Sequence, residues 1–208
     1  MNQNHSKIIS NYFDKLYPNP KCMLKHKNSF EFLIAVCLSA QTKDENVNKV
    51  TPILFKKYNT PLKLSKAKLN DVKSIIKPIG LANTKAKNII SLSKTLVKEY
   101  NGKVPNDRQS LMKLNGVGRK TCNLVLSECF NEFTFPVDTH INRISKRLKI
   151  ARNSDDVIDV EDKLKKYFPK EKWNRLHHQF IYFGRDICKS QNPNCRICKL
   201  KSICGKVS

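Results

Sequence analysis

Seven residues, Leu114-Asn115-Gly116-Val117-Gly118-Arg119-Lys120, concentrate much of the chemistry open to this sequence. Two glycines one residue apart permit a tight turn, because glycine tolerates positive φ and a close backbone approach. Successive amide N–H groups in such a turn, beside a helix N-terminus, make a site for an anion. Arg119 and Lys120 add full positive charge there. The physical reading is a hairpin that grips a phosphate through Gly116, Val117, Gly118 and Arg119. The glycines alone would suit a turn that merely joins two helices; the attached Arg-Lys pair favours the phosphate.

A second concentration is Cys188, Cys195, Cys198 and Cys204, spaced C-x6-C-x2-C-x5-C. A polar, Lys-rich stretch of this kind has no core of its own, and metal ligation would supply the missing stability. Chemistry leaves two occupants open. Structural zinc binds four cysteines well. A cubane iron–sulfur cluster suits four ligands on one compact loop with a single x2 interval. Lys189, Arg196, Lys199 and Lys201 decorate the loop, as an ordinary solvated face or as phosphate contacts. A third candidate pair is Lys120 with Asp138. Taken singly, Lys120 reads as a phosphate contact and Asp138 as a helix N-cap.

Helices must position these groups. Pro105-Asn106-Asp107 is a helix-start signal ahead of Leu111 and Leu114. Thr121 to Phe130 carries Leu124, Val125 and Leu126 and reads as the helix after the hairpin. Residues 6–17 place Ile8, Ile9, Tyr12, Phe13 and Leu16 on one helical face. Phe30 to Leu38 fits a buried strand or a buried helix; with no strand partner elsewhere, helix is the choice. Thr42-Lys43-Asp44-Glu45 matches a capping box, opening a helix with Val47, Val50, Ile53, Leu54 and Phe55. A short helix spans Leu69 to Ile76. Asn83 is the expected N-cap of a long helix to Tyr100, with Gly102 as its stop. Asp138 opens a helix to about Leu148, and two more run from about Asp156 to Phe168 and from Trp173 to Ile187. The class is all-α.

The 208 residues suit one large or two small domains. Forty Lys plus Arg against 17 Asp plus Glu give a net charge of +23, which attracts a polyanion. Charge alone does not separate DNA from RNA or an acidic membrane. Lys far outnumbers Arg, as AT-rich coding would produce, so the sign of the charge is more informative than its size. The polar start Met1-Asn2-Gln3-Asn4-His5 has no apolar signal region, and no apolar run is long enough to span a bilayer. The expectation is a soluble cytoplasmic protein whose eight cysteines are not paired as disulfides. Cys37, Cys122 and Cys129 read as buried and inert and Trp173 as core, and His177 and His178 are given no metal role.

The hairpin resembles the helix-hairpin-helix of DNA repair glycosylases, written Leu-Pro-Gly-Val-Gly-x-Lys-Thr-Ala. Here Asn115 replaces the Pro and Cys122 the final Ala; neither change removes an amide donor. The cysteine spacing matches the [4Fe-4S] loop of the endonuclease III and adenine glycosylase family. Together the two motifs carry a resemblance to endonuclease III over nearly the whole chain. That resemblance implies two helical domains flanking a DNA cleft: a six-helix barrel over residues 22–132 and an iron–sulfur domain from residues 1–21 with 133–208. It implies a [4Fe-4S] cluster on Cys188, Cys195, Cys198 and Cys204, and a monomer acting near the nucleoid on double-stranded DNA with damaged bases or abasic sites.

It also implies catalysis by Lys120 and Asp138, facing each other across that cleft. A lyase-type glycosylase attacks sugar C1′ with an amine, expels the base and cleaves the strand by β-elimination through a Schiff base. An ordinary lysine, with a pKa of ~10.4, is almost wholly protonated at neutral pH. The helix N-terminus, Arg119 and burial of Lys120 are expected to favour the free amine. Asp138 would stabilise the cationic sugar and assist proton transfers. The family's Leu-Ser-Ala-Gln and Ile-Gly-Leu loops correspond to Leu38-Ser39-Ala40-Gln41 and Ile79-Gly80-Leu81. Gln41 would bond the widowed base and Leu81 would wedge the stack; without the resemblance, Gln41 reads as a polar loop residue and Leu81 as a core anchor. His140 would contact DNA or help hold the site, or equally be a satisfied packed histidine; Lys189 and Arg196 would meet phosphates. Two rivals stand beside this reading. One is the adenine-mismatch relative, which lacks a lysine at the Lys120 position and carries a further C-terminal domain. The other is a non-catalytic DNA-binding module stapled by zinc.

Overall fold

The computed structural model describes residues 3–206, so Met1 and Asn2 of the polar start lie outside the described residues. The described residues form α-helices and short 3-10 turns with no strand. No helix among them is long and apolar enough to cross a membrane. The chain divides into two compact units, residues 22–132 and residues 1–21 with 133–208. All eight cysteines are free of disulfides.

The 22–132 unit is built around α2 (Ser29–Leu38), whose residues from Phe30 to Leu38 are all buried. A helix that is apolar all round belongs in a core rather than on a surface. Its start is well specified. The Asn28 side chain accepts from the Glu31 amide at 2.9 Å, and the Glu31 carboxylate accepts from the Lys27 amide at 2.8 Å. These local bonds favour a helix over the strand that the apolar run also permits. Around it lie α3 (Asp44–Lys57), α4 (Pro61–Ser65), α5 (Leu69–Ile76), α6 (Ala82–Glu99), α7 (Arg108–Met112) and α8 (Arg119–Phe130). α4 and α5 pack on α6, and α2 packs on α8.

The second unit joins α1 (Gln3–Leu16) to α9 (Thr139–Arg147), α10 (Val157–Tyr167) and α11 (Trp173–Asp186). Its core is aromatic. Phe13 meets Phe180 edge-on at 5.0 Å and Phe183 at 4.9 Å, and Phe135 and Phe168 extend the cluster. Trp173 is half-buried and donates its indole N–H to the Phe168 carbonyl at 2.9 Å.

Several local expectations change. On α1, Ile9, Tyr12 and Phe13 are buried, but Ile8 is 39% and Leu16 37% exposed, so the apolar face is narrower than its periodicity. Ile53 on α3 is exposed as well. The Thr42 capping box does not form. The N-cap of α3 is Lys43, without a side-chain bond, and the Thr42 hydroxyl donates to the Ile79 carbonyl at 2.8 Å. α6 begins earlier than Asn83; its N-cap is Leu81, in the left-handed region at φ 49. α4, capped by Thr60, was not anticipated. It is a single short turn with too few residues to show a period.

Phe13 is fully buried between two rings, whereas Ile158 at the start of α10 is 48% exposed. Phe13→Ala is expected to lower the stability of its unit by about 3–5 kcal/mol. Ile158→Ala should stay within about 0.5 kcal/mol. Urea titration followed by the fluorescence of Trp173, the single tryptophan, reads this unit directly.

Candidate functional site

The hairpin joins α7 to α8. Asp107 caps α7, its side chain accepting from the Ser110 amide at 2.8 Å, and its carboxyl is held below the usual range by that bond. The chain then turns through Gly116, whose φ of 81 lies in the left-handed region. A Cβ there would meet the Asn88 side chain at 3.2 Å, so the turn is pressed against α6. Asn115 donates to the Ser91 hydroxyl at 2.5 Å, a second tie to α6, and the Cys37 thiol on α2 points to the Gly116 carbonyl at 3.8 Å. Gly118 is the N-cap of α8, with Arg119 and Lys120 its first two residues. Amides in a first helical turn have no partner within their own helix, and the helix dipole adds positive potential there.

Two expectations for this hairpin need correction. Val117 was expected to grip phosphate through its backbone. Its side chain is buried, and its amide closes the turn on the Leu114 carbonyl at 3.1 Å. Val117 therefore anchors the turn through both its side chain and its amide. Lys120 was expected to be buried, but it is exposed.

Asp138 lies in the other unit, half-buried at the N-cap of α9, where its carboxylate accepts from the Ile141 amide at 2.8 Å. One carboxylate oxygen makes that bond. His140 follows in the first turn. Its Nδ1 lies 3.1 Å from the Arg143 guanidinium. A Cβ on Gly184 would come within 2.7 Å of the same ring, so α9 and α11 meet there at the closest approach glycine allows. Burial pushes the His140 pKa down, against the pull of Asp138, and favours a neutral ring. His140 is thus a packed residue that links two helices.

The two loops flanking α3 and α6 present the other predicted residues. Gln41 is exposed at φ 55, and Leu81 is 58% exposed at φ 49 next to Gly80 at φ 69. Left-handed backbone at a non-glycine residue costs roughly 1–2 kcal/mol, and it persists only where surrounding contacts enforce it.

Cys188, Cys195, Cys198 and Cys204 line one pocket with Leu148, Phe183, Ile187 and Leu200. Burial holds the Cys198 thiol above its ordinary range, and Cys188, Cys204 and Cys195 push the same way, so all four lie within electrostatic reach. As the side chains stand, no group of three or more His, Cys, Asp or Glu among the described residues could hold a metal ion. The fit of a bound group therefore rests on the shared apolar pocket and four soft donors. Lys189 and Arg196 are exposed on this loop. Cys22, Cys37 and Cys129 lie outside it, their thiols pushed up to about 12, chiefly by burial.

Residues 34–170 match the HhH-GPD superfamily of base excision DNA repair proteins. Endonuclease III of Bacillus subtilis (strain 168) is 48% identical over 189 residues, 91% of this chain and 86% of that protein. The chain belongs to the endonuclease III family. Endonuclease III of Escherichia coli (strain K12) is 43% identical over 90% of the chain and 88% of its own length. The solved structure of a trapped endonuclease III–DNA covalent intermediate, an estranged-adenine complex, is 45% identical. It covers all of this chain with 97% of its own, at a TM-score of 0.96.

Within this endonuclease III relative, the structure adds residues that sequence reasoning missed. Arg143 and Arg147 project from α9 onto the start of the cysteine loop. Arg143 donates to the Cys188 carbonyl at 2.9 Å and the Gly184 carbonyl at 3.2 Å. Arg147 donates to the Lys189 and Ser190 carbonyls at 2.7 and 3.0 Å and reaches the Cys188 sulfur at 3.2 Å. The Gly205 amide closes the far end of the loop on the Arg147 carbonyl at 2.7 Å. Their spacing of four on a helix was the available signal. Lys85 was also missed: it is buried, and the sequence marks it only as one lysine among many.

The hairpin glycines separate cleanly by conformation. Gly116→Ala should cost about 1–2 kcal/mol, because of its positive φ and its contact with Asn88. Gly118, at φ −95 with open space at its Cβ, should lose well under about 1 kcal/mol as alanine. Comparing the two variants by thermal unfolding checks the hairpin geometry without any assay of activity.

Proposed function

We propose that Lys120 and Asp138 perform base removal and strand cleavage in this endonuclease III family member, acting on oxidised pyrimidines in duplex DNA. Membership of the family makes the chain a base excision repair enzyme, a DNA glycosylase with abasic-site lyase activity. The observation that carries the residue assignment is the likeness over the full chain to a protein trapped as a covalent intermediate on DNA. A covalent link needs a nucleophile. Lys120 is an exposed amine in the first turn of a helix that follows the left-handed turn at Gly116.

In this reading the uncharged Lys120 amine attacks C1′ of the everted nucleotide. The glycosidic bond breaks, and the base leaves with its electron pair and takes up a proton. Loss of a proton from nitrogen and opening of the sugar ring give the imine. Removal of a C2′ proton then expels the 3′ phosphate, and water releases Lys120. Asp138 lies in the other compact unit, so the reading requires both residues to reach the same nucleotide. Its carboxylate stabilises the cationic sugar and relays protons. Gln41 and Leu81 occupy the opening in the stack, Gln41 by bonding the widowed base and Leu81 by its exposed apolar surface. Gly116, Gly118, Arg119, Lys189 and Arg196 contact phosphates, and the protein acts as a monomer.

Borohydride reduces an imine to a stable amine. Wild-type protein is expected to be trapped on abasic-site DNA, and Lys120→Ala should leave no adduct and lower turnover by on the order of 10³-fold or more. An adduct that persists in Lys120→Ala removes Lys120 from the role. Asp138→Asn separates capping from catalysis. Asn is as good an N-cap as Asp, so stability should be kept while the rate falls by on the order of 10²-fold. If rate and stability fall together, Asp138 is only a cap.

The four loop cysteines would hold a [4Fe-4S] cluster, which supplies structural cross-linking when bound. Arg143 and Arg147 set the backbone from which Cys188 projects. Iron and acid-labile sulfide in equal amounts, with loss of thermal stability on their removal, are the expected results. One zinc per chain without sulfide would overturn the assignment.

A further inference from the structure

We propose that Lys85 is the positioning residue that ties the Gln41 loop to the Leu81 loop, so that the two enter DNA as one rigid tool. The inference deepens the reading of Gln41 and Leu81 as the inserted pair and rests on it. Lys85 is only 6% exposed. Lysine is almost never fully buried without a partner. It also sits in the first turn of α6, where the helix dipole disfavours a cation. Burial alone lowers its pKa, with no carboxylate acting against the shift. A cation in so poor a place calls for a reason in what it touches.

Its ammonium donates to the Thr42 hydroxyl at 2.8 Å and to the Ile79 carbonyl at 3.1 Å. The Thr42 hydroxyl in turn donates to the same Ile79 carbonyl at 2.8 Å. Three groups from three segments thus close one knot. Thr42 directly follows Gln41, and Ile79 stands two residues before Leu81. Gln41, Gly80 and Leu81, the residues nearest the knot on each loop, all have left-handed backbone. The knot therefore lies where conformation has to be enforced, at the root of both exposed side chains. It also removes Thr42 from capping α3, so a stabilising local bond is given up for a link between loops.

The test uses the whole protein and compares Lys85→Met, Thr42→Val and Thr42→Ser. Two single-turnover rates are measured: base release from thymine glycol in a duplex, and cleavage of a preformed abasic site, which has no base to evert. Lys85→Met and Thr42→Val should each slow base release by about tenfold and leave abasic-site cleavage within about twofold. Thr42→Ser keeps the hydroxyl and should behave as wild type. The double variant should be no slower than the slower single, since both break one knot. A general loss of structure would depress both rates alike, and that outcome overturns the proposal, as does an unchanged base-release rate. If Lys85→Met fails to fold, Thr42→Val against Thr42→Ser decides alone. Gln41→Ala and Leu81→Ala, run in parallel, separate the two levels. If they slow base release and the knot variants do not, only the tie is wrong. If they leave it unchanged, the inserted pair falls, and the tie with it.

Discussion

The left-handed turn at Gly116 is the constraint on which the Lys120 face of the 22–132 unit depends. Its glycine packs on Asn88 of α6, its neighbour Asn115 bonds Ser91, and Val117 is buried beneath it. Once those contacts are made, the direction of α8 and the placement of Gly118, Arg119 and Lys120 follow. Arg108 of α7 donates to the buried Asn123 of α8 at 2.6 Å and braces the two helices that the hairpin joins. Precision at an exposed lysine thus comes from a turn that is itself held by core helices.

Electrostatics give this architecture its economy. Acidic residues are scarce against 40 basic ones, and several of them serve helix N-termini. Asp107, Asp138 and Asp156 each cap a helix, and Asp156 forms a full capping box with Asp159. The caps hold negative charge where helix dipoles favour it and leave an excess of lysine on the surface for a polyanion. α9 has two functions along one axis. Asp138 caps its start, and Arg143 and Arg147 clasp the cysteine loop further along. Arginine suits this work because its fixed fork of donors can satisfy several carbonyls at once.

Much of the architecture was legible in the sequence because it rests on short-range rules. The 3.6-residue period gave the long helices, Asp107 and Asp138 marked the starts of α7 and α9, and the cysteine spacing singled out one loop. The two glycines beside Arg119 and Lys120 pointed to an anion-gripping turn. These signals depend on residues a few positions apart, whose relation is set by helix geometry before any tertiary contact exists.

Other features were decided only by tertiary structure. Thr42 has a hydroxyl that can cap its own helix or reach a carbonyl 37 residues away; only the packing of α3 against the turn before α6 makes the distant partner the nearer one. Lys85 reads as one more surface lysine until Thr42 and Ile79 converge on it. Val117 looks like a free backbone donor until Leu114 claims its amide, and Lys120 stays exposed although it opens a helix whose later residues are core. In each case the residue's chemistry was visible in the sequence but its partner was not. Partner choice turns on distances between segments far apart along the chain, and those distances exist only once the helices have packed.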